Sequence, residues 1–373
     1  MFETLSYMML QQYCWIVVSL LGGAMTLLIF VQGGQILVYT VGKTQEECKL
    51  IVNSLGRKWA LSFAGFAAFA VMLFASFPLF CATSFGGARL LWLLISLCFL
   101  FQTALFEMRW MPAIFPVKKV YEFLLFFTGI TGMILLGTGL GMFFNGAMFS
   151  LNDVNITRWE TPYRGIEAIL NPHNLLLGVT VFFLSRVLAL LYFINCINNE
   201  QIITRSKIRL FRNAITFSIC FFGFIAWLLM KDGFYYDPSA EEQLVSMQAH
   251  KYLHNLLAMP AVLALLLAGI TLVFAGIIRT MINSRFKKGI WYTGAGAVMS
   301  VMALLLTAGF NNTSYYPSLY DIQDSLTIEN SSSGYFMLAA MSYISLTIPI
   351  IALVTFWLYQ KKKKSQEKSC KKN

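Results

Sequence analysis

The chain is poor in charge. Of 373 residues only 12% are Asp, Glu, Lys or Arg, while 58% are hydrophobic. A soluble domain usually carries about a quarter charged residues, so an aqueous globule is excluded and lipid must be the main solvent. Sustained alternation of polar and apolar residues is also missing, which excludes a lipid-facing β-barrel. The seven cysteines (Cys14, Cys48, Cys81, Cys98, Cys196, Cys220, Cys370) are scattered and form no C-x-x-C pair. Neither a zinc knuckle nor a disulfide framework is supported. There is no nucleophile elbow, no phosphate-binding loop and no set of intramembrane carboxylates suited to a proton pump. The first apolar run lacks a basic region ahead of it and is too long for a signal-peptide core, so it reads as a retained span.

What is present is apolar and long. Mean hydropathy is +0.66, with 33 Phe and 18 Met. A spanning helix needs about 20 mainly apolar residues. On that measure the chain reads as an all-α polytopic membrane protein with nine spans: 14–40, 59–82, 88–106, 120–145, 174–196, 213–230, 259–281, 290–309 and 335–360. Residues 1–360 then form one transmembrane domain, and 361–373 a basic cytoplasmic tail able to attract anionic lipid. The net charge of +11 would suit nucleic acid, but the bases sit in short connectors with no basic face, so no nucleic-acid partner is expected. With the N-terminus outside, the outer segments hold only Arg89, Arg158, Arg164, Lys231 and Lys251. Nearly every other base falls inside, which orients the chain N-out and C-in.

The connector 42–58 reads as a short interfacial helix. Thr44 and Glu47 form a capping box at its start, and Gly56 suits its stop. It either rests on the membrane or docks a partner. Gly137-x-x-x-Gly141 in the fourth span permits close helix approach. In the outer loop 152–171, which carries the sequon Asn155-Ile-Thr157, Thr161-Pro162 predicts a short helix through Leu170. In the loop 231–258, Ser239 with Glu242 predicts a second outer helix that runs into the seventh span and bends at Pro260.

Few residues offer chemistry. Glu107 closes the third span beside Arg109 and Trp110, as either a proton-entry group or an interfacial carboxylate paired with a base. Glu122 opens the fourth span as a solvated or paired rim residue. Arg186 is the deepest charge, and an ion pair, a carbonyl cluster or an anionic ligand must compensate it. His250 and His254 stand four apart, a metal-capable spacing without a third ligand, so no metal site is expected. His173 is a lone histidine at the outer edge of the fifth span.

Several ordered stretches carry a resemblance. They are Val31-Gln-Gly-Gly-Gln35, Gly42-Lys-Thr-x-Glu-Glu47, Asn53-Ser-Leu-Gly-x-x-Trp59, Phe74-Ala-Ser-Phe-Pro78 and Phe106-Glu-x-Arg109. Then follow Leu170-Asn-Pro172, Gly309-Phe-Asn-Asn312, Ser325-Leu-Thr327 and Met341-Ser-Tyr343. Together they resemble subunit II of cytochrome bd quinol oxidase along nearly the whole chain, with Gln32, Gln35, Trp59 and Asn311 at motif positions. The resemblance implies two four-helix bundles plus one peripheral helix, in a bacterial inner-membrane complex that oxidises quinol and reduces dioxygen to water. It also implies haem b and haem d in a partner subunit I, a small single-helix subunit, and a structural quinone on this chain. Many relatives carry Asp-Gly-x-Asp where this chain has Gln32-Gly33-Gly34-Gln35, and an acid where it has Ala60. Glutamine orders water but does not exchange a proton near neutral pH. Glu107 matches the family acid of the third span and is the one proton-route residue carried over. A secondary transporter and a pure assembly scaffold are the rival readings.

Overall fold

The computed structural model describes residues 2–108, 115–152, 154–239, 244–283 and 285–350. Arg109, Trp110, Glu242 and the tail 361–373 lie outside them. The helices are α1 (Tyr7–Leu28), α2 (Phe30–Val41), α3 (Gln45–Ser76), α4 (Pro78–Phe80), α5 (Arg89–Glu107), α6 (Phe115–Asn145) and α7 (Pro172–Cys196). They continue with α8 (Glu200–Met230), α9 (Lys251–Ala258), α10 (Pro260–Ile282), α11 (Gly289–Gly309), α12 (Ile328–Ser331) and α13 (Tyr335–Ser345). Among the described residues, eight helical stretches are long and apolar enough to span a membrane, with α1 and α2 counted as one. The ninth expected span is described only over Tyr335–Ile350.

Helix starts follow local chemistry. Thr44 Oγ1 accepts from the Glu47 amide and the Glu47 carboxylate accepts from the Thr44 amide, closing the expected capping box. Gly56 does not stop the helix, however; α3 runs unbroken to Ser76. A glycine costs about 1 kcal/mol in a helix, but a chain entering lipid has no other partner for its amides, so the interfacial helix and the second span are one rod. Its first turn is clamped: Arg205 on α8 donates to Glu47 Oε2 at 2.7 Å and to the Val41 carbonyl at 3.0 Å.

Both long loops, 152–171 and 231–258, depart from the helical expectation. Phe149–Leu151 (β1) pairs antiparallel with Thr157–Trp159 (β2), and Asn155 takes φ +58° in the turn. Only a 3-10 turn, Ile166–Leu170, remains of the helix expected from Thr161. Gly233–Tyr236 (β3) likewise pairs with Val245–Gln248 (β4), and Ser239 binds the Asp237 carboxylate instead of capping a helix. The aromatic run Phe234-Tyr235-Tyr236 favours a strand. Pro260 opens α10 at its first turn rather than bending a longer helix, since the ring needs no amide partner there.

Packing groups α1–α2, α3, α5 and α6 on one side and α7, α8, α10 and α11 on the other, joined where α2 and α6 meet α7 and where α1 meets α11; α13 lies on α1 and α3. The joints are backbone contacts. A Cβ on Gly33 would overlap the Ser185 carbonyl, and one on Gly137 would sit 2.7 Å from the Gly178 Cα.

The loop-bearing end is tied by carboxylates and carbonyls together: Glu167 accepts from Trp159 Nε1 and the Gly165 amide, and Asp324 from the Leu151 amide. Lys251, almost fully buried, donates to the Asn311 carbonyl at 2.9 Å and faces the Tyr235 ring at 4.5 Å. Asn311, at φ +57°, donates in turn to Asn255. Burial pulls the Lys251 ammonium down to about 8.

Two consequences are measurable. Gly33→Val should cost more than the ~1–3 kcal/mol usual for overpacking, because backbone blocks the new side chain; a wild-type melting temperature in detergent would contradict the contact. An unfolded lysine titrates near 10.4, so between pH 8 and 10 the unfolded chain binds more protons than the folded one and stability rises with pH. Wild-type stability relative to Lys251→Met should therefore climb by up to ~1.4 kcal/mol per pH unit in that window; a flat difference would show the ammonium to be unperturbed.

Candidate functional site

Beyond the Lys251 and Glu47–Arg205 contacts, four places in this lipid-embedded protein could bear on function. The first is a cluster of amides between α2, α3, α5 and α6. Gln32 Nε2 donates to Ser62 Oγ at 3.3 Å, and Ser62 donates to the Leu28 carbonyl. Gln35 Nε2 donates to the Leu125 carbonyl at 3.0 Å and toward Thr128 Oγ1 at 3.4 Å. Gln102, on α5, donates to the Thr128 carbonyl at 3.4 Å. All three glutamines are buried, yet Gln35 Oε1 and Gln102 Oε1 accept no hydrogen bond. Two acceptors left open on either side of Thr128 are the arrangement a bound water satisfies.

Glu107 is further along α5 from Gln102, exposed at the helix end, with no hydrogen bond or ion pair to any described residue. Glu122 is half-buried and close to Tyr39. Trp59 stacks on Phe63 at 5.4 Å, and its indole N–H has no acceptor.

The second place is Arg186. His173 rests on Phe224 and Trp227, so equal steps along the antiparallel α7 and α8 bring Arg186 level with Arg212. Below Arg212, α8 is polar; above it, the apolar stretch from Asn213 to Met230 rises about 27 Å, close to the ~30 Å of a hydrocarbon core. Arg186 therefore lies level with the junction between the mixed and the apolar parts of α8. No described acidic residue pairs with it. Its guanidinium carbon lies 5.3 and 5.8 Å from the Phe182 and Phe183 ring centres, and Nε is buried without an acceptor.

The third place was missed from sequence. Asn145, at the end of α6, bonds His173 Nδ1 at 2.8–3.0 Å. Lys231 donates to Asn145 Oδ1 and to the Phe144 carbonyl. Burial draws Lys231 down to about 8, with Asp232 opposing. A lone Asn closing a glycine-rich apolar run was the available signal, as was Gln102 in the middle of α5. His250 caps α9 with φ +51°, and its carbonyl accepts from the His254 amide; no cluster of metal-ligating side chains occurs among the described residues.

The fourth is an apolar cavity of about 90 Å³ where the two helix groups meet, lined by Gly22, Met25, Leu140, Val181, Phe221, Phe274, Ser300 and Leu304 among others. Ser300 Oγ is buried and unpartnered.

Comparison with known proteins bears on the whole chain. The family described as "Cytochrome bd terminal oxidase subunit II" matches residues 10–361. Subunit 2 of the cytochrome bd-I ubiquinol oxidase of Escherichia coli (strain K12) is 22% identical over 89% of this chain and 88% of its own. Subunit 2 of the cytochrome bd ubiquinol oxidase of Bacillus subtilis (strain 168) is 23% identical over 86% and 85%. Among solved structures, the bd oxidase from Geobacillus thermodenitrificans shares the fold, with a TM-score of 0.59 at 12% identity over 95% of this chain and 98% of that one. With the spans, the motif order and the match over residues 10–361 in agreement, this chain belongs to the cytochrome bd terminal oxidase subunit II family.

Proposed function

We propose that the chain is the non-haem subunit of a quinol:oxygen oxidoreductase in the bacterial inner membrane, holding a haem-bearing subunit I that oxidises quinol and reduces dioxygen to water. Family membership makes it a subunit of a haem-containing oxidoreductase complex with at least one partner subunit. The observation that carries the finer reading is the outer face of α3. This is the least covered of the long spans, and it exposes Ala60, Ala64, Ala67 and Ala68 in helical register with Val71. Small residues on a bare membrane helix let another helix approach closely, which is what a docked partner subunit needs.

Among the described residues the surroundings of His173 speak against a haem: its ring is stacked on Phe224 and Nδ1 is engaged by Asn145, with only Nε2 left unpartnered. The cavity lacks histidine, and its ~90 Å³ is far below the ~300–1,000 Å³ of a ligand-sized site. The same cavity fits part of an isoprenoid chain of a structural quinone, with Ser300 Oγ the one free polar group along it. Such a quinone would fill space between the helix groups; the chain supplies nothing for its redox chemistry.

Glu107 stands at the mouth of the proton route, and the Gln102–Thr128–Gln35 cluster continues it inward as a track of ordered water. The glutamines hold that water without exchanging protons themselves. The N-terminus and the two hairpins lie outside, and the basic connectors inside.

Co-expression with the haem subunit should give haem b and d bands in a reduced-minus-oxidised spectrum of material pulled down through this chain; a colourless chain, stable alone, would overturn the assignment. In that complex Glu107→Gln should slow turnover by about tenfold or more with the haem bands unchanged, and unaltered turnover would reduce the chain to a scaffold. Val181→Phe should remove a co-purifying quinone and leave the haem bands intact; a retained quinone places it elsewhere.

A further inference from the structure

The groove between α7 and α8 carries positive charge that no described acidic residue is seen to pair. On α7, Leu176, Val179, Phe183 and Arg186 form the half-exposed stripe, spaced so that they share one face. On α8 the facing stripe is Gly223, Ile219, Thr216, Arg212 and Arg209, all exposed or half-exposed. The two stripes meet: a Cβ on Gly223 would stand 3.8 Å from Leu176 Cδ2, so the glycine keeps the groove open at its apolar end. From Gly223 to Arg209 the helix rises roughly 21 Å, more than the ~15 Å of one leaflet. At the polar end Arg209 is close enough to Arg186 to repel it, and Arg212 repels Arg209 in turn. The carboxylate on a neighbouring inner helix end, Glu47, is already taken by Arg205.

We propose that this groove holds an anionic phospholipid of the leaflet at the basic end, its phosphate between Arg186 and Arg209 and one acyl chain along Phe183, Val179 and Leu176. The forked donors of arginine suit a phosphate. The buried, unpartnered Nε of Arg186 gives the phosphate a donor already stripped of water. Apolar residues along one end of the groove and cations at the other are the order in which a phospholipid presents tail and head. A soluble anion would leave the apolar two-thirds of the groove unused.

The test is native mass spectrometry of the full complex in detergent with phosphatidylglycerol or phosphatidylcholine. The intact protein should retain phosphatidylglycerol and not phosphatidylcholine. Arg186→Gln/Arg209→Gln should lower that retention on the order of tenfold or more, and Arg186→Lys/Arg209→Lys should restore most of it. Should the Gln pair fail to assemble, the wild-type lipid preference and the Lys pair still decide the matter. Equal retention of the two lipids, or of phosphatidylglycerol by the Gln pair, overturns the proposal. So does displacement of the lipid by millimolar inorganic phosphate, which would make the groove a site for the free anion. If the Gln pair instead loses the partner subunit while keeping lipid, the arginines answer a carboxylate of that subunit and the lipid reading falls.

Discussion

Helices in lipid are not driven together by the hydrophobic effect, so this fold depends on how closely their backbones approach. Gly33 lies against the Ser185 carbonyl, and Gly137 against Gly178. These contacts fix α2 and α6 on α7, and α7 carries α8. Everything of chemical interest is placed by that junction. The glutamine cluster lies on one side of it, Arg186 follows Ser185 directly, and the apolar cavity opens farther along. A small residue at each crossing thus determines where the polar groups come to rest, although glycine has no chemistry of its own.

The protein compensates its interior polarity with carbonyls and amides. Lys231 and Lys251 are held by backbone and asparagine oxygens, and Gln32, Gln35 and Gln102 by serine, threonine and main chain. The described residues hold one well-shielded ion pair, Glu47 with Arg205, where α2, α3 and α8 meet. Glutamines near the junction bring no charge that would need desolvating.

Much of this was legible in the sequence, and the failures have physical reasons. Span positions follow from apolar length, because lipid leaves the backbone only the helix. The Thr44–Glu47 capping box and the close approach at Gly137 depend on neighbours a few residues apart, so their patterns survive in one dimension. The stop at Gly56 failed because a local preference of about 1 kcal/mol yields to a demand made by the membrane. The hairpins β1–β2 and β3–β4 were missed because Thr161-Pro162 and Ser239 imitate helix starts, while strand pairing is decided by partners across the turn. For Arg186 the apolar neighbours Phe182, Phe183 and Leu188 speak for burial in protein as readily as for burial in lipid. The cluster of Asn145, His173 and Lys231 joins three helix ends far apart in the chain, and no local pattern announces it.

The first helix is finished by the last part of the chain. Trp15 Nε1 donates to the Leu305 carbonyl, Gln11 Nε2 to Ser332 Oγ, 321 residues away, and Tyr7 to the Ser333 carbonyl. A ribosome feeding helices into the bilayer in order delivers α1 long before these acceptors are made. Gln11 and Trp15 must pass that interval with their donors turned to water or headgroups, and α1 cannot take its final seat until α11 and the segment behind it arrive. The oldest helix is therefore locked last. Truncation near the C-terminal end would be felt first at the opposite terminus, as an N-terminal helix left without its partners and open to quality-control proteases.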